Sequence, residues 1–109
     1  MTKAEDFNRI AQELGKQITL ISATKNVVNG YISTTETSQQ ITAIVQPLKA
    51  VELAFLPSAG YTTEDLKSYI SIDYAVNIGD VVEHEGKRYK IHHIEKNDAF
   101  QKLLLKKEP

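Results

Sequence analysis

Cysteine is absent from this chain, and with it go disulfides, thiolate nucleophiles and sulfur ligands for a metal. Tryptophan is absent as well, and the three prolines and five glycines are scattered. No glycine-rich loop is therefore present to cradle a phosphate. Neither sign of charge dominates. Thirteen Lys and Arg stand against 14 Asp and Glu, for a net charge of −1, so the chain lacks the broad basic footprint of a nucleic-acid binder. No apolar run approaches the roughly 18 residues of a membrane helix. The opening MTKAEDF has none of the apolar core of a signal peptide, and the expectation is a protein made and used without secretion. No serine sits in a GxSxG context and no histidines stand at HExxH spacing.

What is present fits one domain, since 109 residues hold one core and not two. The most informative stretch is Asn77–Ile94. Asp80–His84 reads as a strand, Glu85-Gly86 as a two-residue turn, and Lys87–Ile94 as the returning strand. A loop of that length needs positive φ at its central residues, which Gly supplies. The register sets Glu83 opposite Arg88 and Val82 opposite Tyr89, with Val82, Tyr89 and Ile91 on one apolar face.

The rest of the chain falls into short elements. Thr2–Gly15 predicts a helix, with Thr2 and Glu5 as a capping box and Phe7, Ile10, Ala11 and Leu14 as its apolar stripe. Gly15 is placed to end it in left-handed geometry. Gln17–Ala23 is rich in β-branched residues and reads as a strand. Thr24–Gln40 is polar, with Asn29-Gly30 as a turn, Tyr31 and Ile32 extending a strand, and Ser33–Gln40 an exposed strand or loop. Ile41–Val45 is a strand that Pro47 ends. Leu48–Leu56 predicts a short helix stopped by Pro57, followed by a loop to Glu64. Leu66–Tyr74 alternates as a half-buried strand, and Phe100–Lys107 makes the last one after a turn at Asn97-Asp98. The prediction is a mainly β, α+β domain over residues 1–109. Residues 1–15 form the helix, and 17–107 form a small antiparallel β-barrel, SH3-like or related, with a short second helix and a long loop.

Candidate chemistry is sparse. His92 and His93 are neighbours on a strand and would face opposite sides, so they share no ion, and His84 lies several residues from His93. Glu5-Asp6 sit in a helix's first turn, where its dipole favours them. Glu64-Asp65 precede a strand and Glu83 faces Arg88. None of these pairs reads as the two carboxylates of a hydrolytic cleft. No catalytic residue, cofactor or metal is expected. Lys87-Arg88-Tyr89-Lys90, with Lys102, Lys106 and Lys107, could serve a single-strand binder, although alternating lysines are also the ordinary solvated face of a strand. The polar segment 24–40 and the 57–65 loop are long for so small a domain, as functional loops often are.

The order of these pieces carries a resemblance. A strand ends in Val45-Gln46-Pro47-Leu48. Val51-Glu52-Leu53 and Leu56-Pro57 follow, then a strand around Tyr69–Tyr74. Ile78-Gly79-Asp80-Val81-Val82, Gly86-Lys87-Arg88-Tyr89-Lys90-Ile91 and a final strand close the series. Over roughly residues 41–105 this resembles the head-closure, or stopper, proteins of tailed bacteriophages, also called head–tail joining or connector proteins. The chain departs from that pattern at its start, where a capped helix is added, and at 59–61, which lacks charge. The resemblance implies a barrel that assembles as a homo-oligomeric ring beneath the portal, closing the DNA-filled head and docking the tail. Its implied partners are copies of itself, a portal or adaptor protein and a tail protein, with contact to packaged DNA and none to a membrane. Its implied place is the virion, made in the bacterial cytoplasm from a phage or prophage gene. Interface candidates are Ser58, Gly60, Tyr61 and Thr62 in the loop, Tyr69 on its strand, and Arg88 and Lys90 on the hairpin. The alternative is a small barrel that binds nucleic acid.

Overall fold

A computed structural model of the chain describes residues 3–53 and 60–108. It runs α1 (Lys3–Leu14), β1 (Lys16–Val28), β2 (Tyr31–Pro47), α2 (Ala50–Leu53), β3 (Leu66–Ile70), β4 (Val81–His84), β5 (Lys87–Lys96) and β6 (Gln101–Lys107). The six strands close into an antiparallel barrel in the order β1-β2-β3-β6-β5-β4. The expected class, mainly β with an N-terminal helix and a small antiparallel barrel, is the observed one.

Alternation builds the interior. Ile18 and Leu20 of β1, Ile41 and Ala43 of β2, Ile70 of β3, Val82 of β4, Tyr89 and Ile91 of β5, and Leu103 and Leu105 of β6 form one buried cluster. Each pair lies two residues apart on its strand, the spacing that sends side chains to one face. The β4–β5 hairpin has the register read from its sequence, Glu83 opposite Arg88 and Val82 opposite Tyr89. Its turn residues have φ of 51° at Glu85 and 76° at Gly86, the primed turn that matches strand twist. Two joins are invisible to local patterning. β3 pairs with β6, and β1 pairs with β4 through Thr19–Ile21, which closes the cylinder.

Four expectations are corrected. The strand expected over Leu66–Tyr74 stops at Ile70, because Ser71–Tyr74 folds as a turn. Asp73 N–H donates to Ser71 Oγ at 3.1 Å and Tyr74 N–H to Ser71 O at 3.3 Å. Gln101 Nε2 donates to the carbonyls of Ser71 and Tyr74, both at 2.9 Å, and so ties this turn to β6. The alternation of β5 breaks at His92, where the register slips between Ile91 and His93. After this bulge the inward position passes from Ile91 to Ile94, so the two histidines are not simple opposite-facing neighbours. Gly15 is not left-handed. It sits where the end of α1 approaches β2, and a Cβ there would meet Ala11 O and come within 2.9 Å of Thr42 Cγ2. Finally, the helix stripe is split: Phe7 and Ala11 are buried, while Ile10 and Leu14 are 44% and 71% exposed. The proposed Thr2 cap, and the part of the second helix beyond Leu53, lie outside the described residues.

The polar segment 24–40 is no loose loop. β4 joins β1 only at Thr19–Ile21, and β3 joins β2 only at Ala43–Pro47. Beyond those joins β1 and β2 continue paired to each other alone, from Ala23 opposite Glu36 to Val28 opposite Tyr31. Six rungs at about 3.3 Å per residue make an arm of roughly 20 Å. The sequence explains the departure. On the inward phase, Ile18 and Leu20 give way to Ser22, while Ile41 gives way to Gln39, Thr37, Thr35 and Ser33. With nothing apolar to bury, the ribbon has no reason to curl back. The radius of gyration is 15.1 Å, above the about 13 Å of a compact chain of this length.

Candidate functional site

Three surfaces carry the candidate residues. The first lies beside the 60–65 loop, which a buried carboxylate fixes. Asp65 is 3% exposed. Its Oδ2 accepts the N–H of Thr62 and its Oδ1 the N–H of Lys107, each at 2.8 Å. This clamps the loop to the end of β6 and holds Tyr61 against the outer wall. There the Tyr61 ring meets His92 edge-on, with centroids 6.4 Å apart, and Lys106 Nζ lies 6.0 Å from its centroid. Gly60 is close enough to Lys106 that a Cβ would come 2.8 Å from Nζ. Lys90, His92, Lys106, Lys107 and Glu108 line an adjoining recess. In the β5–β6 register Lys90 stands directly opposite Lys106, a like-charge rung of the kind that costs stability.

The structure thus brings Gly60, Tyr61 and Lys90 together around Lys106, with Thr62 in the clamp. Arg88, two residues from Lys90 on β5, is held by Glu83 at 3.9 Å and is half exposed. Tyr69 belongs elsewhere. Its ring meets Phe100 edge-on at 5.2 Å, and Phe100 in turn packs at a tilt against Phe7 at 5.3 Å, so Tyr69 is part of the seat of α1. Ser58 lies outside the described residues. Tyr89, the aromatic of the basic run, is 5% exposed and points into the barrel. It offers no face on which a base could stack.

The second surface is the cleft between α1 and the Ser71–Tyr74 turn, lined by Phe7, Ala11, Thr42, Ser71, Asp73 and Tyr74. It holds one carboxylate, Asp73. Among the described residues no three His, Asp or Glu are placed to share a metal ion, and no helix is long and apolar enough to cross a membrane.

The third surface was missed as an interface by sequence reasoning. At the arm's end Val27, Tyr31 and Ile32 are 72%, 79% and 73% exposed. Val27 and Ile32 are cross-strand partners on one face, and Tyr31 lies on the other. The turn between them has φ of 51° at Asn29 and 81° at Gly30. The signal was there to be found: Val-Val-Asn-Gly-Tyr-Ile sets the strongest short hairpin turn between β-formers. Large apolar side chains concentrated on the tip of a polar projection mark a contact surface more clearly than the same residues dispersed over a wall would.

The chain matches no protein-family model, and no curated protein matches it as a relative.

Proposed function

We propose that this protein is a non-catalytic assembly component of a tailed-bacteriophage virion, a head–tail connector that joins the portal side of the DNA-filled head to the tail as a ring of copies. The observation that carries this reading is a closed barrel bearing a two-stranded arm tipped by exposed Val27, Tyr31 and Ile32. A closed barrel has no edge for accidental pairing along its body, so the arm and the Tyr61 wall are what it presents to partners. The ordered Gln46-Pro47-Leu48, Gly79-Asp80 and Gly86–Ile91 series supports the same reading by resemblance. A ring repeats one heterologous contact about an axis. Each contact can then be modest in area, since repetition supplies avidity.

Affinity capture from cells in which phage assembly has been induced tests this. The wild-type chain is expected to recover portal or tail proteins, and a Val27→Ser/Ile32→Ser double variant to recover far less. Recovery of neither by a folded wild-type chain rejects the assignment.

The second reading, a nucleic-acid-binding barrel, draws on the Lys90–Lys106 rung beside Tyr61 and His92. It predicts salt-dependent retention on immobilised DNA that is lost on Arg88→Ala and Lys90→Ala.

A further inference from the structure

The free edges of the arm follow from its turn. In a two-residue hairpin the residues flanking the turn, Val28 and Tyr31, form a hydrogen-bonded pair, and bonded and non-bonded pairs then alternate. Ala23, Lys25 and Val27 on β1, and Ile32, Thr34, Glu36 and Ser38 on β2, therefore fall in non-bonded pairs, with their N–H and C=O groups aimed outward. Beyond the barrel no other described strand meets either edge, and every residue from Tyr31 to Gln40 is exposed. Natural sheets blunt such edges with proline, bulges, repeated charge or short length. Here β2's outer edge has no proline, no bulge and one charge over that stretch.

We infer that the outer edge of β2 in one copy pairs with the outer edge of β1 in the arm of a second copy, and that this strand addition joins the copies. Two considerations select another copy as the occupant. In a ring whose axis runs along the arms, the arms project alike and β2 of one copy lies antiparallel to β1 of the next. With the arms level, Ile32 of one copy comes beside Val27 of the next, so the exposed apolar pair of each tip continues into its neighbour's.

The inference deepens the connector reading by naming the surface that joins copies. Its failure is separable from that reading's. Loss of the arm contact with portal capture intact would remove this contact and leave the connector role, and the reverse result would do the opposite.

The absence of cysteine makes the test direct. Two full-length single-cysteine chains, Ala23→Cys on β1 and Thr34→Cys on β2, are mixed in equal amounts at about 1 mM and crosslinked with a short bis-maleimide. Pairing of β2 with β1 predicts mixed dimers in about fivefold excess over either homodimer. Adding Glu36→Pro to the Thr34→Cys chain removes one outward N–H and the edge's charge without touching a bond of the arm itself. It is expected to lower the mixed-dimer yield about fivefold or more, while the barrel's thermal midpoint stays in place. A random distribution of the three dimers, predominance of the Thr34→Cys homodimer, no crosslinking, or a yield indifferent to Glu36→Pro each overturns the inference.

Discussion

The barrel and the arm are made from the same two strands, and they obey opposite rules. Within the barrel, β1 and β2 bury Ile18, Leu20, Ile41 and Ala43. A few residues further on, the same backbone ladder continues with Ser, Thr and Gln on the corresponding face and with apolar side chains left in water at its end. The comparison separates two things that usually coincide. Strand pairing persists wherever a good turn sets the register, while globular stability follows burial. The arm is the part of the sheet that hydrogen bonding builds and the core does not stabilise.

The largest contrast is expected between matched truncations in the two regions. Leu103 is fully buried in the barrel, and Leu103→Ala should cost about 2–5 kcal/mol through lost transfer energy and the cavity left behind. Ile32→Ala at the exposed tip should stay within about 0.5 kcal/mol. Denaturant melts of the two variants measure both. A destabilisation by Ile32→Ala comparable to that of Leu103→Ala would mean that the arm folds back onto the body.

Next in size is the clamp that ties the loop to the barrel. Asp65→Ala leaves the N–H groups of Thr62 and Lys107 without their acceptor. The expected loss is about 2–3 kcal/mol, the range for a hydrogen-bonded charged group and the donors it abandons. Amide exchange should quicken at Thr62 and Lys107 before it does in the β4–β5 hairpin. Among the described residues no such cluster of bonds to a buried side chain secures the arm beyond Ala23, so no described residue there should match this effect.

The two primed turns give a finer comparison, because the chemistry is the same and only the context differs. Gly86 has φ of 76° and Gly30 has φ of 81°. Alanine at either site meets no atom within 4 Å, so the cost is conformational, about 1 kcal/mol. Gly86→Ala should lower global stability by that amount. Gly30→Ala should leave the melt unchanged and instead raise exchange at the amides of the arm. Equal effects on the global melt would show that arm and barrel unfold as one unit.

How much was legible in the sequence divides along the same line. The β4–β5 hairpin could be read residue by residue, since a Gly-containing turn fixes register and the register fixes who faces whom. The helix was legible as amphipathic, but which flank would be buried was not: Phe7 and Ala11 pack inward, whereas Ile10 and Leu14 of the same stripe do not. The His92 bulge showed only in the spacing of Ile91 and Ile94, three residues apart where strand alternation has a period of two. The end of β3 was overrun because Ile72 and Tyr74 keep an alternating appearance through a turn that Ser71 and Gln101 organise from the side. The arm was half legible. Asn29-Gly30 announced the turn, but polar residues on both faces gave no period to show that the strands persist. Of the interface candidates, Gly60, Tyr61 and Lys90 fall together, while Tyr69 joins the helix seat through a contact with Phe100 that depends on the β3–β6 pairing.

The smallest effect is confined to alkaline pH and to the barrel. Burial holds the Tyr89 phenol above its ordinary value of 10.0, and Glu85, Asp65 and Glu64 push in the same direction by disfavouring a phenolate. Between pH 10 and the raised folded value, the unfolded chain releases this proton while the folded chain retains it. The folded state then binds more protons, so stability falls as pH rises. The contribution is complete below the unfolded value and is lost through the folded one. Tyr89→Phe has no proton to release. It should melt close to the wild type at pH 7 and 9, and should lose less stability than the wild type between pH 10 and 11.5. If Tyr89→Phe loses as much stability as the wild type over that range, burial in the barrel is not what sets the Tyr89 titration.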